Sequence, residues 1–196
     1  MISACRLLTL ASSRIYKTRS RATRVLACVF LCAAVVPAWG DADLSDRTAK
    51  IKAAFLYKFI QYVRWPGPET ETADPFVIHI LGESRLEAQL RKIAEKQKVG
   101  DRDLVIRTSA TVDALESCHI LLLAPSAADS LQHILEQVGD RKLLTVGDTD
   151  GFGKMGVAIN FILASGKVKF EINRKALAGA DLWVSSRLLK LGILLD

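Results

Sequence analysis

The residues with the clearest chemical potential lie between Asp148 and Gly156. Gly151-Phe152-Gly153-Lys154-Met155-Gly156 is a literal Gly-x-Gly-x-x-Gly. That spacing lets a backbone approach the pyrophosphate of a dinucleotide. The chemistry requires a helix directly after the glycines, because the pyrophosphate rests on the helix N-terminus. The next residues are instead Val157-Ala158-Ile159-Asn160-Phe161-Ile162-Leu163, an apolar, β-branched run that reads as a strand. The motif therefore fails on context. It reads as a mobile loop whose glycines supply positive φ. Asp148 and Asp150 form the close carboxylate pair of this loop and could orient a water or a cation. Aspartates in loops more commonly hold their own turn.

Other reactive residue types are scattered. His79, His119 and His133 show no helical i, i+3 or i, i+4 spacing, and no Cys-x-x-Cys accompanies them. A zinc site is not indicated. The sequence holds no Gly-x-Ser-x-Gly nucleophile elbow. Ser126 follows a strand and precedes a helix, where an N-cap explains it. Three groups suit recognition better than catalysis. Trp65 closes the first helix beside Pro66, where an indole can anchor the chain or face a groove. Glu171 and Asn173 share one face of a strand by alternation, while Phe170 and Ile172 face the core. Asn160 sits in an otherwise apolar strand; a buried amide must be hydrogen-bonded, so it should tie the glycine loop to the hairpin.

The elements that position these groups alternate. A helix is expected from a cap at Asp46 to about Val63, with Ile51, Phe55, Phe59 and Tyr62 on its apolar stripe and Pro66 as its stop. Lys50, Lys52, Lys58 and Arg64 fall off that stripe. Strands are expected at Phe76–Leu81, Leu104–Thr108, Ile120–Ala124 and Leu143–Val146. The wholly apolar Ile120–Ala124 suits a central strand buried on both faces. Helices follow Ser84 and Ser126. The pattern then changes to Val157–Leu163 and Lys167–Ile172, a β-hairpin, and to two short helices, Arg174–Ala178 and about Ser185–Gly192. Gly67–Asp74 is a polar loop. Alternating strands and helices predict an α/β fold, a sandwich with a mixed sheet and a C-terminal β-hairpin.

The first 40 residues read as a secretory signal, leaving residues 41–196 as a single domain. Arg6, Arg14, Lys17, Arg19, Arg21 and Arg24 form a basic n-region, and Val25–Val36 an apolar core. That core is roughly a dozen residues, short of the ~20 needed to span a bilayer. The chain holds 27 basic and 21 acidic residues, and its net charge of +6 belongs entirely to the leader. A neutral mature domain lacks the electrostatic footprint of a nucleic-acid binder. Of four cysteines only Cys118 lies outside the leader, so no internal disulfide can form. It reads as a half-buried core thiol.

Two segments carry a family resemblance. Leu143–Asn173 runs "TVGD, Gly-Phe, glycine loop, INF, turn, FEIN", with Gly147, Asp148, Gly156, Asn160 and Phe170 as its fixed points. Ile51–Pro66 (IKAAFLYKFIQYVRWP) and Ser185–Leu191 (SSRLLKL) agree with it. Together they closely resemble the YfiR-like family of secreted bacterial proteins. The resemblance implies a compact, Rossmann-like α/β domain, often dimeric. It implies a periplasmic regulator that represses a membrane-bound diguanylate cyclase by binding its periplasmic portion, without catalysis or cofactor. Disulfides found in some relatives have no counterpart here. A periplasmic solute-binding module, with a pocket near the glycine loop and Trp65, and a hydrolase with an unrecognised site are the alternatives. Export has a direct check: mass spectrometry of the protein from the cell envelope is expected to find its N-terminus near Asp41 or Asp43, and a retained leader would refute it.

Overall fold

The computed structural model describes residues 39–66, 74–115 and 117–196, with side chains of the first helix from Leu44 onward. The expected secretory leader, up to residue 38, and all but the last residue of the expected 67–74 loop lie outside the described residues.

The first helix, α1, spans Trp39–Tyr62 and starts well before Asp46. No proline interrupts residues 39–45, so the helix runs on upstream. Asp46 is not its cap; its carboxylate pairs with Lys50 and accepts from Gln89 Nε2 at 2.8 Å. The buried face also differs from the expected stripe. Ala49, Ala53, Leu56, Phe59, Ile60 and Val63 are buried, Phe55 and Tyr62 are half-buried, and Ile51 is 47% exposed. Two alanines lead this face because they let the helix backbone lie close to the sheet. A reading by large side chains misses them. Pro66 does not itself stop α1. Val63–Arg64 (β1) leave the helix to pair antiparallel with Trp183–Val184 (β9), and Ser185 N–H donates to Tyr62 O at 2.9 Å.

The chain continues through β2 (Phe76–Leu81), α2 (Leu86–Ala94), β3 (Lys98–Val99), β4 (Arg102–Ser109) and β5 (Ile120–Leu123). A 3-10 turn, Pro125–Ser130, precedes α3 (Leu131–Val138) and β6 (Leu144–Gly147). The end of the chain holds β7 (Ile159–Ala164), β8 (Lys167–Asn173), α4 (Arg174–Gly179), α5 (Ser186–Leu191) and β10 (Ile193–Leu195). Eight strands form one sheet in the order β10-β8-β7-β6-β5-β2-β4-β3. The run β7-β6-β5-β2-β4 is parallel, the β7–β8 hairpin is antiparallel, and β10 returns parallel to β8. The fold is thus α/β with a mostly parallel, mixed sheet and the expected C-terminal hairpin.

Alternation divides the sheet into two cores. Ile120 and Leu122 of β5 join α1, α2 and the hairpin's Phe161 and Phe170 on one face. Leu121 and Leu123 join α3, Phe152 and Val157 on the other. Phe59, Phe161 and Phe170 pack as one ring cluster, with centroids 5.7 and 5.1 Å from Phe59. Helix α3 begins only after the 3-10 turn, and Ser126 does not cap it: its Oγ accepts Glu83 N–H at 2.9 Å instead. Phe161→Ala is expected to cost roughly 3–5 kcal/mol in denaturant unfolding, the range for truncating a core aromatic. A near-neutral effect would contradict the packing of this ring cluster.

Candidate functional site

Strand β6 ends at Gly147, and the glycine loop leaves from there. The loop is neither open nor free. Phe152 turns back and is 2% exposed in the second core. Turn bonds run from Lys154 N–H to Gly151 O at 3.0 Å and from Val157 N–H to Phe152 O at 3.1 Å. Gly156, at φ +112°, holds a conformation that side-chain-bearing residues avoid. A strand follows the loop, not a helix, so no anion-binding helix end meets the glycines.

The loop lies on the polar face of the hairpin. Asn160 on β7 is fully buried, and its Nδ2 donates to Glu171 Oε2 on β8 at 3.1 Å. Asn173 Nδ2 donates to Gly153 O at 2.9 Å, while its Oδ1 caps α4 by accepting Ala176 N–H at 3.0 Å. Contact is tight: a Cβ on Gly153 would stand 2.7 Å from Glu171 Oε2, and one on Gly147 2.5 Å from Asn160 Oδ1, so either would force its neighbour to move. Asn160, Glu171 and Asn173 therefore come together, but the bond from hairpin to loop is made by Asn173, while that of Asn160 stays within the hairpin. Asn160 Oδ1 and Thr149 Oγ1 are buried there without a protein partner.

Asp148 leaves this face and reaches the first helix. Its Oδ1 accepts from Lys52 Nζ, and both side chains are about nine-tenths buried. Lys52 is thus not a solvent-facing residue, and Asp148 does not hold its own turn. Burial pushes the Asp148 carboxyl above its ordinary range, and Lys52 opposes that shift. Asp150 is exposed and does not join it.

Trp65 lies elsewhere. Its half-buried indole Nε1 donates to His119 O at 3.0 Å, and its ring meets Phe76 edge-on at 5.3 Å. His119 Nδ1 accepts Val77 N–H at 3.1 Å; burial, aided by Arg102, lowers its pKa to about 4, so the ring is neutral at physiological pH. Trp65 therefore pins the exit of α1 to the starts of β2 and β5. The glycine loop follows the end of β6, which runs parallel to β5. The two stand at opposite ends of the sheet and do not line one pocket. Cys118 is half-buried, and burial pushes its thiol up to about 11, so it is a poor nucleophile.

The sequence reading missed Trp183. It is 58% exposed on β9, with the Arg64 guanidinium 5.2 Å over its ring. Nothing in Leu182-Trp183-Val184 marks that exposure, because β9 exists only through its pairing with β1, far away in the chain.

The YfiR/HmsC-like family model matches residues 49–193. The chain belongs to this family. No curated protein matches the sequence. Among solved structures, a conserved domain protein from Vibrio cholerae O1 biovar El Tor is similar, with 9% sequence identity and a TM-score of 0.52. The match covers 76% of this chain and 60% of that one. At that identity the likeness shows the fold alone. Within the YfiR/HmsC-like domain, the segment from Gly147 to Asn173 that carries the resemblance is also the one in which loop and hairpin lock together.

The Lys52–Asp148 pair makes a pH-dependent prediction. A raised carboxyl pKa means that ionisation of Asp148 opposes folding. Its contribution is fully present below the unfolded-state value and is lost as pH rises through the folded-state value. Lys52→Met should therefore destabilise by roughly 3–5 kcal/mol at neutral pH, the cost of orphaning a buried charge. The loss should shrink in acid, where Asp148 is protonated. Adding Asp148→Leu should recover most of it. Unfolding midpoints measured across pH check both; an equal loss at every pH would refute the ion-pair account.

Proposed function

We propose that this chain is an exported, periplasmic regulator that represses a membrane-bound diguanylate cyclase by binding the cyclase's periplasmic portion. It would thereby lower cyclic di-GMP and restrain biofilm formation. Family membership over residues 49–193 is the observation that carries this reading. The geometry adds support for binding over catalysis, because Asp148, Glu171 and Asn173 around the glycine loop are each engaged in a contact within the fold. Among the described residues, no helix is long and apolar enough to cross a membrane.

Repression by binding is a population shift: the regulator must bind the inactive state of the cyclase more tightly than the active one. Trp65, Glu171 and Asn173 are proposed contact residues, but each already serves a contact within the fold. Mutating them therefore reports stability together with binding. Trp183, stacked with Arg64, is the better first target. Tryptophan is enriched among interface hot spots because it buries much area with few torsions to freeze. The proposal includes self-association, for which the edge strand β10, with Ile193 44% and Leu194 45% exposed, is the natural surface.

Deleting the gene is expected to raise cyclic di-GMP and surface attachment, and only in cells that retain the membrane cyclase. Trp183→Ala should leave the melting temperature nearly unchanged and weaken cyclase binding by more than about 1 kcal/mol. Unchanged cyclic di-GMP after deletion would refute the repressor reading. An unweakened complex would move the contact away from β9.

A further inference from the structure

We propose that the hollow over the C-terminal ends of β2, β4 and β5 is a binding site for a small, uncharged, polyhydroxylated solute of the sugar or polyol class. The proposal does not rest on the cyclase reading. Its first support is topological. From β2 the chain crosses to β4 on one side, and from β5 it crosses to β6 on the other. Neighbouring β2 and β5 therefore send their connections apart. In open α/β sheets such a switch point leaves a crevice at the carboxyl ends of the strands, where ligands bind. Here that crevice measures ≈ 1090 Å³, just above the ~300–1,000 Å³ typical of small-molecule sites.

The walls are built rather than incidental. Gly82 takes φ +88°, and a Cβ there would stand 2.3 Å from Ser126 Oγ. The loop after β2 thereby lies directly against the loop after β5. Ser126 Oγ accepts Glu83 N–H at 2.9 Å across this seam. Ser84 Oγ likewise accepts Leu86 N–H at 3.2 Å. Each hydroxyl is oriented by a backbone donor while its own proton stays available. Ser109 is also held, between His79 Nε2 at 2.7 Å and Thr111 O at 3.0 Å.

Charge selects the ligand class. Glu83, Glu87 and Asp113 line the crevice against one guanidinium, Arg85, which itself donates to Ser45. Glu87 is paired with Arg91, which leaves the carboxylates of Glu83 and Asp113 as acceptors. With Glu87 paired, two carboxylates face the single Arg85 guanidinium, whose charge the Ser45 hydroxyl does not neutralise; the net negative charge disfavours phosphates and nucleotides, although the position is the one a nucleotide occupies in related topologies. No phenylalanine, tyrosine or tryptophan lines the crevice, and the ring that does is the His133 imidazole, so recognition falls mainly to hydrogen bonds. Fixed hydroxyl donors beside carboxylate acceptors match the vicinal hydroxyls of a sugar, which both donate and accept.

The test is titration of the purified mature protein with glucose, galactose, N-acetylglucosamine and cellobiose, followed by amide NMR and melting temperature. Glucosamine, glucose 6-phosphate and AMP serve as charged comparators. A neutral sugar should move the amide signals of Gly82, Glu83, Ser84, Thr111 and Ser126. At ~100-fold excess over Kd it should raise Tm by about 5–10 °C. The isosteric pair Glu83→Gln and Asp113→Asn should leave the free protein's Tm unchanged and weaken that sugar about tenfold or more, as loss of charge-assisted acceptors requires. No response to any neutral sugar overturns the proposal. So does binding of AMP or glucose 6-phosphate at these amides, of glucosamine alone, or of a sugar whose affinity the double variant leaves intact.

Discussion

The fold depends on one close approach, that of the glycine loop to the polar face of the β7–β8 hairpin. Gly147 and Gly153 come so near to Asn160 and Glu171 that a Cβ at either would force those side chains to move. This contact closes the second face of the sheet where α3 no longer covers it. It also delivers Phe152 into that second core and sets Asp148 at the end of β6 to meet Lys52. A loop with no ordinary secondary structure thus links a helix, a hairpin and two cores. Bulk at either glycine would disturb all of them together.

The buried ion pair and the amide network act differently on the molecule. Amides that bond within the fold specify where the loop sits while leaving little net charge to desolvate. The Lys52–Asp148 pair carries a larger desolvation cost, and it joins groups almost a hundred residues apart. Removing one partner is therefore far more damaging than replacing both. The family segment from Gly147 to Asn173 consequently encodes a structural lock as much as a surface. Its conformation places Phe152 in the second core and Asp148 against Lys52.

Much of this was legible in the sequence wherever a signal was local. The apolar runs at Phe76–Leu81 and Ile120–Leu123 announce buried strands. The failed dinucleotide motif is exposed by the strand that comes after it. The shared face of Glu171 and Asn173 follows from alternation alone. The misreadings have a common physical cause, which is dependence on distant residues. The face that α1 buries is decided by how closely alanines let it approach the sheet, so Ala49 and Ala53 displace Ile51. β1, β3, β9 and β10 are two or three residues long and exist only through their partners. Ser126 resembles a helix cap by position, but Gly82 brings a different backbone donor to it.

The β1–β9 ribbon has a consequence for the order in which the chain acquires its structure. Helix α1 can form as soon as its residues are released, yet the strand that receives its exit is β9, over a hundred residues later. Phe59 likewise lacks its ring partners until Phe161 and Phe170 have emerged. Non-local closures of this kind are slow, because loop entropy is lost before the contacts form. A chain emerging N-terminus first therefore presents an amphipathic helix without a core for most of its passage. It completes the domain only when the last segment arrives.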